Sequence, residues 1–228
     1  MDALVNELMK ELNCDTVFTI PVLGGIPVKE SVVVTWIIMA VILVLCIALT
    51  RNLSVENPSR GQIILETIVS GGHNFFKDTL GEHGAEYIPY LMTVTLYIGI
   101  ANLIGLLGFK PPTKDMNVTA ALAFMSIVLI EVAGIRQKGA KGWVKSFAEP
   151  IPIILPINIM EIFIKPLSLC MRLFGNVLGS YVIMELLKIV VPIVVPAAFC
   201  LYFDIFDGLL QAYVFVFLTS LYIKEAIE

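Results

Sequence analysis

Arg172 lies inside the run Pro166-Leu-Ser-Leu-Cys-Met-Arg-Leu-Phe-Gly-Asn-Val-Leu-Gly-Ser180, with aliphatic stretches on both sides. A guanidinium stays protonated in essentially every protein environment. Setting one at the centre of a membrane helix costs roughly 2.5–3.5 kcal/mol on insertion scales. A charge kept despite that penalty marks a site, and its chemistry is that of a cation that does not release its proton. Such a group holds a passing anion without becoming a proton relay itself.

Successive helical residues turn by about 100°, so Lys165, Ser168, Arg172, Asn176 and Gly179 share one narrow stripe. A second polar face follows at Asp204, Asp207, Gly208 and Gln211, spaced i, i+3, i+4 and i+7. Two carboxylates and an amide do not face lipid cheaply, so this face must turn toward protein or water. Three readings fit. In one, Asp204 or Asp207 neutralises Arg172 in a buried pair. In another, Asp204 sits at interface depth and is simply solvated. In the third, titratable groups line a hydrated ion path beside a fixed cation. Gly175 and Gly179 suit a small-xxx-small helix contact, which accounts for the glycines and not for Arg172.

Other chemistry is thin. His73, in Gly71-Gly72-His73, reads as an exposed interfacial residue, and Glu131 as snorkelling at its helix end. Asn117-Val118-Thr119 fits a glycosylation sequon short enough to arise by chance. The four cysteines, Cys14, Cys46, Cys170 and Cys200, form no CxxC and stand apart from His73 and His83, so they read as apolar packing residues. No HExxH, GxSxG or phosphate-cradling glycine loop equips a hydrolase or nucleotide enzyme. The 15 Lys and Arg form no basic tract with interleaved aromatics, which excludes a nucleic-acid face.

The elements that must position these residues follow from composition. Of 228 residues, 58% are hydrophobic and 15% charged, and the mean hydropathy is +0.90. A soluble domain carries about a quarter charged residues, so the expectation is an all-α integral membrane protein in one polytopic domain. A bilayer-crossing helix needs about 20 apolar residues. Spans are expected at 31–50, 88–109 and 117–135, then a proline-broken segment at 150–190 and a last helix at 197–224. An interfacial helix and loop fill 52–87. Residues 1–30 are mixed polar without the apolar core of a cleavable signal, and form an outer segment. Arg136, Lys138, Lys141 and Lys145 crowd a short loop, 136–149, that should be cytoplasmic. Alternation puts the N-terminus outside, 51–87 inside, the turn near 109–116 outside and the C-terminus inside.

The motif 166–176 resembles that of subunit a of the F-type ATP synthase membrane sector, in its bacterial form. Pro111-Pro-Thr-Lys-Asp-Met-Asn-Val-Thr119, Asn102-Leu-Ile-Gly-Leu-Leu107, Gly134-Ile-Arg-Gln-Lys-Gly139, Asn52-Leu53 with Glu66, and Gln211-Ala-Tyr-Val-Phe-Val-Phe-Leu-Thr219 match in the same order, so the resemblance covers nearly the whole chain. It implies a static partner of a rotating c-subunit ring, beside a b-subunit peripheral stalk, joined indirectly to the F1 sector and embedded in the lipid of the bacterial inner membrane. It implies no cofactor, no metal and no bond chemistry in this chain. Two offset half-channels would lead protons, or Na+ where the ring selects it, to and from the ring carboxylates. Arg172 would lie between them.

By motif position Asn176 and Gln211 would line the outer half-channel, and Ser168 would lie toward the cytoplasmic one. The family often has an acid nine residues after the arginine, where this chain has Tyr181. Asp204 stands where the family has a histidine or acid, and Asn158 where it has a glutamate, with Glu161 one turn on. Asp204 is therefore the favoured relay, with Asp207 and Glu185 assisting; Lys165, Glu161 and Asp115 complete the ion-translocating set. The resemblance also implies a tilted hairpin over 150–224. The rival class is a secondary transporter in which Arg172 binds an anionic substrate, and it lacks the internal repeats such transporters are built from.

Overall fold

The computed structural model describes residues 16–20, 26–51, 53–54, 58–107, 109–147, 155–190, 199 and 201–227. Cys14, Cys200, the prolines at 150, 152, 192 and 196, and the side chain of Glu185 lie outside the described residues.

Ahead of the first helix stands a hairpin that the helical pattern of the rest did not announce. Strand β1 (Thr16–Ile20) pairs antiparallel with β2 (Ile26–Lys29), Ile20 opposite Ile26 and Phe18 opposite Val28. Three of the five β1 residues are β-branched threonine or isoleucine and a fourth is valine, types that suit a pleated surface. Helix α1 (Glu30–Thr50) follows directly. It buries Ser31, Val34 and Ile38 near its start, whereas Leu43, Val44, Leu45 and Ile47 farther along are exposed. A helix that carries no charge after Glu30, is apolar all round and is mostly uncovered belongs in lipid.

Helix α2 (Arg60–Leu80) is amphipathic, with Phe76 and Leu80 turned inward. Ser59 caps its start by accepting from the Gln62 amide, and Gly81, at φ 73°, ends it. The Gln62 side chain in turn bonds both the N–H and the C=O of Ser54 and donates to Glu66, which ties the connecting segment to this helix. A 3-10 turn (Glu82–Tyr87) leads into α3 (Ile88–Leu103), whose first turn holds Pro89, and α3 tightens into a second 3-10 turn (Ile104–Leu107).

Helix α4 spans Met116 to Ser146, about a dozen residues past the expected stop, but it is two helices that meet at a kink at Gly139 (φ 72°, ψ 157°). The basic loop of the sequence reading is therefore mostly helix, broken once. Arg136, Gln137, Lys138, Ala140 and Lys141 are good helix formers on either side of that glycine, and lysines near a helix C-terminus complement the dipole. Helix α5 (Leu155–Val190) keeps Pro166 in its interior. At 1.5 Å per residue its 36 residues span about 54 Å, well over a hydrocarbon core of about 30 Å. A π-helical turn (Leu201–Asp207) precedes α6 (Gly208–Ile227). Among the described residues, five helices are long and apolar enough to cross a membrane.

One core joins four of them, and α1 packs on α3 through Val34, Ile38 and Ala101. Leu91, Val94 and Ile98 of α3, Ala123, Ile127 and Ile130 of α4, Leu169 and Leu173 of α5, and Ala212, Phe215 and Val216 of α6 interlock at three- and four-residue spacings. Helix α5 leans chiefly on α4, and α6 on α3 and α4, while α5 and α6 touch each other over a short length.

Candidate functional site

The α5 face that buries Leu169, Cys170, Leu173 and Val177 turns to α4, where Cys170 Sγ lies 3.6 Å from Thr119 Oγ1. The opposite face exposes Leu167, Met171, Gly175 and Asn176. Ser168 and Arg172 stand half-buried on the border between the two. No hydrogen bond or ion pair joins Arg172 to another residue among those described. The buried pair with Asp204 or Asp207 is thus not formed. Nor do the glycines pack on another element among the described residues: outside the helix's own backbone, no described atom comes within 4 Å of where a Cβ would stand at Gly175 or Gly179.

Toward the basic end of α5, Lys165 is clasped between two acids. Its Nζ lies 3.2 Å from Glu161 Oε2 and 3.1 Å from Glu225 Oε2, and 5.2 Å over the Tyr222 ring. The clasp links α5 to α6. Asn158 donates to the Phe147 carbonyl at 2.9 Å, closing the end of α4. Glu131 does not snorkel freely; it accepts from Trp143 Nε1 at 2.9 Å. These groups line a cavity of about 190 Å³, room for several waters at about 30 Å³ each. Glu225 had no motif to flag it, and its partner Lys165 is distant in sequence.

The other end carries the remaining candidates. Asp204 and Asp207 sit half-buried in the π-helical turn, and Gln211 is buried in the first turns of α6. Asn102, buried at the end of α3, donates from Nδ2 to the Gly208 carbonyl at 2.9 Å and accepts from Thr113 Oγ1 at 2.9 Å. Lys114 is buried with Nζ 4.4 Å over the ring of Tyr181. A cation therefore lies against the position where an acid was expected from the family pattern. Seven residues separate Lys165 from Arg172 and nine separate Arg172 from Tyr181, about 10 Å and about 14 Å along the helix. Arg172 stands between two polar regions and is paired to neither.

Asp115 is committed to the fold. It caps α4 by accepting from the Asn117 N–H at 3.0 Å, takes the Ser31 hydroxyl at 2.7 Å, and lies 3.8 Å from Lys29 Nζ. Burial alone would raise its pKa. The Ser31 and Asn117 hydrogen bonds and the Lys29 charge outweigh that and hold it below the usual 3.8.

With this geometry in place, comparison with known proteins gives a consistent answer. The chain matches the ATP synthase A chain family over residues 32–224. It is 37% identical over 207 residues to the ATP synthase subunit a of Moorella thermoacetica, covering 90% of this chain and 94% of that one. It is 32% identical over 207 residues to the ATP synthase subunit a of Legionella pneumophila, covering 90% of each. A relative from Propionigenium modestum, described as ATP synthase subunit a, sodium ion specific, is 33% identical over 219 residues, covering 89% of this chain and 75% of that one. A multi-pass helical protein whose Arg172 has no partner among the described residues, matching this family from its first span to its last helix, belongs to the ATP synthase A chain family and is an ion-translocating subunit of the synthase membrane sector.

Proposed function

We propose that Arg172 is the fixed cation that receives and releases the carboxylates of a rotating c-subunit ring passing the open face of α5. The observation that carries this is its half-buried guanidinium, which has no partner among the described residues and adjoins the exposed Leu167, Met171 and Gly175. An anion about 4 Å away gains about 4 kcal/mol at an effective dielectric of 20, enough to favour the ionised carboxylate by about three pKa units. Bare glycine positions at 175 and 179 support close approach of a helix from another chain.

In this reading the ion enters past Asp204, with Asp207, Asn176 and Gln211 along the way. It leaves on the cytoplasmic side past Ser168, through the cavity lined by Glu161 and Lys165. Arg172 blocks direct leakage between the two paths, so an ion must ride the ring. Each elementary charge crossing 100 mV then delivers about 2.3 kcal/mol to rotation. Arg136, Lys138, Lys141 and Lys145 support a cytoplasmic side at the end of α4, with the N-terminus outside and the C-terminus inside the bacterial cell membrane. The long α1 surface that the chain leaves uncovered suits lipid and a b-subunit stalk. In complex reconstituted into vesicles, Arg172→Lys should drop gradient-driven ATP synthesis to background, because lysine is compact and loses its proton more readily when buried. Synthesis at the normal rate would refute the assignment.

A further inference from the structure

We propose that the end of α3 is the seat of the Asp204 carboxylate, with Asn102 and Gly105 acting as positioning residues for ion access from the outer side. The inference rests on the reading of Asp204 as the outer relay.

The π-helical turn Leu201–Asp207 is the weak link in the path. Its i→i+5 geometry is rare and seldom persists without outside support, and such turns gather at functional sites. Support comes from α3. The Asn102 amide, 5% exposed, donates to the carbonyl of Gly208, the first residue after the turn. The Thr113 hydroxyl, bonded to Asn102 Oδ1, fixes which side of the amide faces Gly208. A side chain at Gly208 would stand 3.0 Å from the Asn102 Cβ, so the approach requires a glycine.

Gly105 does the rest. A Cβ there would lie 3.1 Å from both Asp204 carboxylate oxygens, closer than ordinary van der Waals contact. The carboxylate rests on bare backbone within an otherwise apolar turn, Ile104-Gly-Leu-Leu107. Asn102 sets the height of the turn that carries Asp204, and Gly105 leaves the space its head group fills. Neither residue is on the ion path, and neither titrates.

The test uses whole synthase complex in vesicles, with Gly105→Ala, Asn102→Leu and Asp204→Asn singly and Gly105→Ala combined with Asp204→Asn. Gradient-driven synthesis is followed against outer pH, beside the amount of assembled complex. Gly105→Ala removes no contact and should leave assembly intact while slowing synthesis about three- to tenfold, the coupling expected of touching groups. It should also displace the outer pH profile, and Asn102→Leu should act in the same direction. In the Asp204→Asn background Gly105→Ala should cost nothing more. A normal rate and profile for Gly105→Ala, or an equal further loss in that background, overturns the seat while a slow Asp204→Asn leaves the relay standing. A fully active Asp204→Asn overturns both.

Discussion

In the proposed reading Asp204 is the outer relay, and two alternative positions near that end do not supply one. The Asp115 carboxylate is taken by a helix cap, a serine and a lysine. At the position two and a half turns past Arg172, Tyr181 lies under the buried Lys114 instead of offering an acid. Asp204→Asn should therefore slow ion-driven synthesis by about a hundredfold or more, the lower range for loss of a proton-transfer group, while assembled complex stays near normal. Asp204→Glu should keep much of the rate. Arg172, Lys165 and Asp204 were legible from the sequence because a charge in an apolar run is conspicuous by type alone. Asn102, Gly105 and Glu225 were not, since their roles arise from residues about a hundred or sixty positions away that only the fold brings near.

At the scale of elements, the spans themselves could be read from hydropathy, and α1 begins and ends within a residue of the expected 31–50. What hydropathy missed were elements with other causes. The β1–β2 hairpin depends on strand pairing, the helical stretch past the Gly139 kink on helix formers that happen to be charged, and the π-helical turn adjoins Gly208, whose carbonyl α3 holds through Asn102. The Asp115 cap makes a testable case. Asp115→Ala should cost about 1–2 kcal/mol of stability, as losses of N-caps do, and more where Ser31 is left without its acceptor. Because the folded pKa is held below the usual 3.8, the carboxylate stabilises the fold above the unfolded pKa, and that contribution is lost as pH falls through the folded value. Thermal unfolding in detergent, followed from neutral pH down below about pH 4, should show wild type losing its advantage over Asp115→Asn on the acid side. An advantage that is flat with pH would contradict the charge-based tie.

For the whole molecule, helix α5 sets the Tyr181 ring, with Lys114 over it, and the Lys165 clasp about 24 Å apart along its axis, on either side of Arg172. Single cysteines at Lys141 and Lys145, in a background lacking the four native ones, should label only from the cytoplasmic side; a cysteine at the exposed Phe109 should label from outside. Lys114 is too buried to serve as that outer probe. The central claim is that Arg172 keeps the two polar regions from communicating except through the ring. Arg172→Ala vesicles measured for ATP-driven proton pumping and for passive proton leak test it most directly. Loss of about 4 kcal/mol of charge stabilisation predicts pumping reduced by about three orders of magnitude, with leak through the membrane sector raised above wild type. Pumping that persists with no added leak would contradict it.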